Sequence, residues 1–206
     1  QKEEETESVS LVPEAEEEKN AQSTVIMPKF LQEEAEVSGA GRGTVYHKIM
    51  EKLHFDRDAE EQLRELCSRG LVTEKELECV NSAKIAKMCA SPLGKRMAQA
   101  QRKDQLFREQ QFVMELPAGD VNSRWNSEEY ILVQGIIDAY FIEEDHIVLV
   151  DYKTDFVKFK EASSLYEKYR VQLGCYKKAL ESLTGYPVKE QIIYSFCLDR
   201  ELTGSE

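Results

Sequence analysis

Three side chains in two neighbouring stretches are placed for chemistry: Asp138 in QGIIDAYF (134–141), and Asp151 and Lys153 in VLVDYKTD (148–155). In an extended strand, residues two apart share a face, so Asp151 and Lys153 project together while Tyr152 points the other way. EEDH between the two apolar runs suits a hairpin that brings Asp138 beside Asp151. Two carboxylates meeting at one point repel unless a cation lies between them, and hard oxygen donors suit Mg2+ or Mn2+. A lysine beside such an ion can orient or deprotonate a water and offset charge developing on phosphorus, as hydrolysis of a phosphodiester requires. D-x-K by itself is more often the polar end of an ordinary strand. The second aspartate on the preceding apolar strand tells against that reading, as do two further motifs.

The first is GRGTVYHKIME (41–51), where Thr44, His47 and Glu51 lie close to one face of a helix whose Val45, Ile49 and Leu53 form the apolar side. A lone helical histidine is usually solvated or packed, but a polar stripe on an otherwise apolar helix favours a metal ligand at His47. The second is YRVQLGCYKKAL (169–180), which sets Tyr169, Gln172 and Tyr176 on one helical face. That face serves core packing equally well.

The elements that must carry these residues follow from periodicity and punctuation. Glycines open a helix expected over about 43–54. Helical patterns broken by Gly70, Asn81 and Pro92 predict a small helical insertion over about 57–101. Strands are expected at about 105–116, 129–143 and 146–155, the last two as a hairpin. A long helix over about 162–184 ends at Gly185 and Pro187, and VKEQIIYSFCLD (188–199) reads as a final strand. Helix, three strands, helix, strand gives an α/β sandwich with a mixed central sheet flanked by helices.

Composition bounds what such a chain does. At 206 residues it holds one domain with appendages, and no apolar run approaches the roughly 20 residues of a membrane helix. No secretory signal is evident, and the five dispersed cysteines, Cys67, Cys79, Cys89, Cys175 and Cys197, form no C-x-x-C pair, so reduced thiols in a cytoplasmic protein are expected. A net charge of −12 is unusual for a binder of phosphates, yet residues 1–36 hold 11 acidic and 3 basic residues, so −8 lies there and −4 remains for the rest. A domain so weakly acidic needs divalent cations and a larger basic partner to hold nucleic acid. Residues 1–24 read as an acidic flexible linker and 25–206 as the domain, with VIMPKF (25–30) an apolar patch able to dock on it or on a neighbour. The missing initiator Met suggests a piece of a longer polypeptide. No G-x-x-x-x-G-K-[ST] occurs, so no NTP-driven motor is expected within these residues.

The ordered set G-x-x-x-H (Gly43, His47), G-x-x-D-A (Gly135, Asp138, Ala139), D-Y-K-T (151–154) and Q-L-x-x-Y (Gln172, Leu173, Tyr176) resembles the RecB-type branch of the PD-(D/E)xK nuclease superfamily. The acidic lead-in followed by PKF and GRGTVYHKIME is similar to the C-terminal nuclease domain of AddA-type subunits of bacterial ATP-dependent helicase/nucleases. The resemblance spans about 28–198. It implies a restriction-endonuclease-like core, with Asp138, Asp151 and Lys153 catalytic and His47, Asp138, Asp151 and the Tyr152 backbone carbonyl around Mg2+, for which Mn2+ substitutes. Gln172 and Tyr176 would lie against the site. REQQF (108–112) resembles the family's R-E-x-P-F strand with Gln111 in place of proline, so only Arg108 and Glu109 carry over, as supporting residues. No cysteine triplet near the C-terminus matches an iron–sulfur site, and no cluster is expected. The implied partners are a single-stranded DNA end, the rest of a parent helicase chain and a second nuclease subunit, in double-strand break processing and recombinational repair. Two alternatives compete: a nuclease fold that has lost catalysis and only binds DNA or a partner, and a stand-alone exonuclease of Cas4 or phage type. Intact Asp138, Asp151 and Lys153 tell against the first, and the acidic linker against the second.

Overall fold

The computed structural model describes residues 8–10, 39–121, 129–159 and 162–204. Helix α1 (Gly39–Lys52) leads into four short helices, α2 (Ala59–Ser68), α3 (Glu74–Glu78), α4 (Ser82–Ala90) and α5 (Pro92–Gln101). Their boundaries are written in capping chemistry. The side chains of Asp58, Thr73, Asn81 and Ser91 each accept a hydrogen bond from a first-turn backbone N–H, Thr73 and Glu76 close a reciprocal capping box, and Pro92 opens α5. This is the expected insertion.

Among the described residues six strands form one mixed sheet: β1 (Ser8–Ser10), β2 (Leu106–Pro117), β3 (Tyr130–Glu143), β4 (His146–Lys153), β5 (Val188–Ser195) and β6 (Arg200–Leu202). A single turn, α6 (Ala118–Val121), follows β2, and α7 (Ala162–Thr184) crosses from β4 to β5, which pair in parallel. β3 pairs antiparallel with both β2 and β4, and β6 runs antiparallel at the β5 edge. The sheet separates two cores. On one side Ala139, Phe141, Val148, Val150 and Tyr152 pack against α1 and the insertion. On the other Ile137, Tyr140, Ile147 and Leu149 pack against Leu165, Leu173, Cys175 and Leu180 of α7. The expected α/β sandwich therefore forms with the long helix over 162–184 in place, closed by Gly185 at φ +75.

Three local differences have physical causes. α1 begins at Gly39, so Gly43 lies inside the helix rather than at its start. A Cβ on Gly43 would stand 3.2 Å from Thr154 Oγ1, so the glycine permits close approach of α1 to the end of β4 despite its poor helix propensity. The final strand stops at Ser195, and Asp199 at φ 53 turns the chain into β6. Most of the linker expected over 1–24 lies outside the described residues, as does VIMPKF, but Ser8–Ser10 form β1, parallel to Leu132–Gln134 of β3. β4 pairs with β3 only as far as Ala139, and β1 occupies the edge that this leaves open.

Candidate active site

β3 and β4 part company where the chemistry is. Their ladder ends at Ala139 opposite Val150, and in the next position the Asp138 side chain replaces the missing backbone partner: its Oδ2 accepts from Tyr152 N at 2.8 Å. Its other oxygen, Oδ1, lies 2.9 Å from His47 Nδ1. The splayed hairpin and α1 thus meet on one carboxylate that is 8% exposed.

The β2–β3 ribbon inverts at this point. Leu106 and Arg108 face α1, whereas Phe112, Met114 and Leu116, of the same parity, face α7. On β3, Ala139 and Phe141 face α1 while Ile137 faces α7. Register is kept across the inversion, Arg108 opposite Ala139 and Gln110 opposite Ile137. Glu109, between them at φ 48, takes up the reversal in a left-handed conformation that costs a non-glycine residue about 1 kcal/mol or more. The result is that Glu109, Asp138 and His47 offer ligand atoms all within 4.8 Å of one another.

Asp151 and Lys153 share a face as β-strand alternation requires, and Lys153 Nζ stands 2.7 Å from Asp151 Oδ2. The contact pairs a fully buried carboxylate oxygen with the ammonium, and among the described residues no other group bonds to that oxygen. Burial pushes the Asp151 carboxyl up to about 6, and the nearby Asp138 adds to the rise against the opposing pull of Lys153. Burial alone would lower Lys153, but Asp151 and Asp138 outweigh it and hold the lysine above its ordinary value. His47 behaves alike: burial lowers it, and the charge and hydrogen bond of Asp138 raise it further. As it stands the lysine is a cation that donates and offsets negative charge. The aspartate is a carboxylate held under strain, which a further positive charge would relieve.

That strain is the test of whether the residues fit a divalent cation, and they pass it. Asp138, already fixed by a backbone N–H, forms with Glu109 and His47 a close, mostly oxygen donor group suited to a hard divalent cation, and Asp151, outside that group of three, adds a buried carboxylate whose charge is felt at Asp138 and His47.

The remaining sequence candidates divide. Tyr152 is buried on the α1 side of the sheet, its hydroxyl 3.9 Å from Met97 Sδ and its ring edge-on to His47 with centroids 6.2 Å apart, while its backbone N–H donates to Asp138. Gln172 Nε2 donates to the Tyr176 hydroxyl at 2.7 Å. Burial raises that phenol well above its ordinary range, with Asp151 and Asp138 adding to the rise, which sets the pair against the site. Arg108 turns away: its guanidinium donates to the carbonyls of Glu51 and Leu53 at 3.1 and 2.8 Å and lies over the Phe55 ring, capping the end of α1. Of the polar stripe on α1, Glu51 pairs with Lys52 and Thr44 is exposed, so His47 alone of the three enters the cluster. Two contributors had weak sequence signals. Tyr169 places its ring 4.2 Å from Lys153 Nζ and donates its hydroxyl to Asp155 at 3.0 Å, and Glu109 gave no sign of its inverted backbone.

A strand-borne D-x-K lysine and a second aspartate at a splayed hairpin, backed by a long helix, define a class of phosphodiesterase site. The pattern of the PD-(D/E)XK nuclease superfamily matches residues 22–203, and the chain belongs to that family. Within it, the chain is 37% identical over 214 residues to the A subunit of the ATP-dependent helicase/nuclease of Lachnoclostridium phytofermentans, a match covering 85% of this chain and 16% of that protein. The protein of the same name from Clostridium perfringens is 37% identical over 186 residues, covering 85% of this chain and 15% of the relative. That from Acetivibrio thermocellus is 40% identical over 174, covering 82% and 14%. The likeness to AddA-type subunits read from the motifs is met, and the chain spans about a sixth of the length of these relatives.

Proposed function

We propose that the chain is a Mg2+- or Mn2+-dependent deoxyribonuclease domain, an exonuclease within a larger helicase/nuclease, that hydrolyses single-stranded DNA. The observation that carries this reading is the strained pair: Asp151, buried and raised to about 6, beside Asp138 and in contact with Lys153. Asp138, Asp151, Glu109 and His47 would hold the cation, with the Tyr152 carbonyl as a further ligand. Such an ion would supply Lewis acidity toward the phosphodiester and toward an attacking water. Asp138 stays fixed throughout by Tyr152 N and His47, so the ligand geometry is set before substrate arrives. Lys153 directs its N–H groups at the attacked phosphate and the attacking water. Asp151 and the Tyr169 ring position that ammonium. Gln172 and Tyr176 close the α7 side of the site.

The mild acidity outside residues 1–36 supports a division of labour in which a motor elsewhere in the parent protein, with a second nuclease subunit, delivers the strand. The names of the relatives supply the ATP-dependent helicase part of that reading. Such a parent would process double-strand breaks in recombinational repair. No helix among the described residues is long and apolar enough to cross a membrane. The proposed work on DNA beside a motor subunit belongs in the cytoplasm. The test is incubation of the purified chain with end-labelled single-stranded DNA in Mg2+, Mn2+ or EDTA. Cleavage in metal that EDTA abolishes is expected; absence of cleavage in every metal, with the fold intact, refutes the reading.

A further inference from the structure

A cavity of about 410 Å3 opens beside the catalytic strand, bounded by the two elements that carry the site. α1 supplies Arg42 and Tyr46 to its wall, and the segment after β4 supplies Thr154 and Phe156. Its floor is the tilted pair of Tyr46 and Phe196, with ring centroids 4.5 Å apart. In a chain of net charge −12 its lining holds two cations, Arg42 and Lys84, and no carboxylate. The comparable cavity beside Arg96 is lined by Glu143, Glu144 and Glu190.

The lining is also asymmetric in what it leaves unused. Lys84 is tied to the carbonyls of Phe196 and Cys197 and to Asp199. Arg42 is exposed and, among the described residues, donates to the Thr154 carbonyl across a long 3.4 Å. Phe156, three residues beyond Lys153, is 83% exposed at the rim, and Phe159 is 70% exposed with the Arg200 guanidinium 5.3 Å from its ring centre. An exposed phenyl ring at the rim of a cationic cavity offers a face on which a base can stack. Arg42 precedes His47 by five residues, about 7.5 Å along the helix axis and about 140° around it, so α1 presents His47 to the ligand group and Arg42 to the cavity.

Taking the nuclease reading above as given, we propose that Phe156 and Arg42 form a subsite for one unpaired nucleotide next to the scissile phosphate, Phe156 stacking on the base and Arg42 binding its phosphate. Stacking requires a base with a free face, so the subsite favours single strands over duplex without reading sequence.

The test is binding at low salt in EDTA, monitored by fluorescence anisotropy with labelled oligo-dT and with an abasic strand of equal length. Wild type should prefer oligo-dT by about tenfold, the lower part of the range for losing one base–aromatic stack. Phe156→Ala should bind both strands as wild type binds the abasic one, and Phe156→Trp should retain the preference. Arg42→Ala should weaken both strands alike and flatten the salt dependence. Absence of preference in wild type, full preference in Phe156→Ala, or loss in Phe156→Trp equal to that in Phe156→Ala overturns the subsite. Since binding in EDTA requires no catalysis, such a failure leaves metal-dependent cleavage standing. A protein with the preference but no cleavage refutes the nuclease reading and leaves the subsite intact.

Discussion

Metal binding should release protons, and the number released reports which side chains take the ion. In the metal-free protein Asp151 titrates near 6 rather than at its ordinary 3.8, because it is buried next to Asp138. Below that value a proton competes with the cation. With one such group, about nine-tenths of the molecules are ionised at pH 7 and about one-tenth at pH 5, so the Mn2+ dissociation constant should rise about tenfold between them. His47 is raised above 6.5 by Asp138, so if it too ligates the ion the pH dependence steepens and a second proton appears. The same shift has a consequence for stability. A group whose folded pKa lies above its unfolded one contributes stability that is full below the unfolded value and lost as pH rises through the folded one. Metal-free protein should therefore lose up to roughly 3 kcal/mol from Asp151 as pH climbs from about 4 to above 6, and saturating metal should remove that loss. The assay is calorimetric titration with Mn2+ in buffers of different ionisation enthalpy at pH 5 to 8. A dissociation constant flat across that range, with no proton released, would show that Asp151 is not a ligand.

Replacing Asp138 by asparagine keeps an acceptor for Tyr152 N but removes a ligand charge, so cleavage should vanish with the melting temperature within a few degrees of wild type; residual activity above a hundredth of wild type would sink the ligand assignment. Lys153→Ala should lower cleavage by about 10² to 10⁴ fold, the range for losing an acid–base group, with Mn2+ affinity equal or higher. If metal and activity disappear together, the lysine instead holds Asp151 in place. Arg108→Ala leaves the Glu51 carbonyl in α1 and the Leu53 carbonyl just beyond it without this donor and should cost about 1 to 3 kcal/mol, or roughly 3 to 10 °C in melting temperature, while cleavage persists at 20 °C below the new Tm. Loss of cleavage at an unchanged Tm would put Arg108 in the chemistry.

Features written locally were legible in the sequence. Asn81 and Pro92 mark breaks between the insertion helices, and Gly185 ends α7 where it must, because each signal acts within a turn of its residue; the caps at Asp58, Thr73 and Ser91 act at equally short range but came from the structure. The pairing of β3 with β4 followed from two apolar runs around EEDH, and Asp151 with Lys153 on one face followed from strand alternation. β6 was missed because three residues, Arg200–Leu202, carry no period, and β1 because Ser8–Ser10 sit among glutamates whose composition argues for a linker.

What alternation could not deliver is the half of the site where alternation fails. Reading β2 as a regular strand puts Arg108 on the face of Phe112 and gives no sign of the reversal that sends it to α1. Only the left-handed backbone at Glu109 reverses the ribbon, sending Arg108 to cap α1 and bringing the glutamate within reach of His47. A glutamate is a poor choice for φ 48 on backbone grounds, so nothing in its local sequence favours that conformation. It is held by what lies on either side: Arg108 bonded to the end of α1, and Phe112 packed edge to face on Tyr176. Both contacts join residues more than fifty positions apart, and no reading of short-range pattern contains them. The inversion and the end of the β3–β4 ladder fall on the same residue pair, Glu109 and Asp138, so the two irregularities are one device. The backbone strain at Glu109 and the charge strain at Asp151 would then be borne by tertiary contacts in order to hold carboxylates together before a cation arrives.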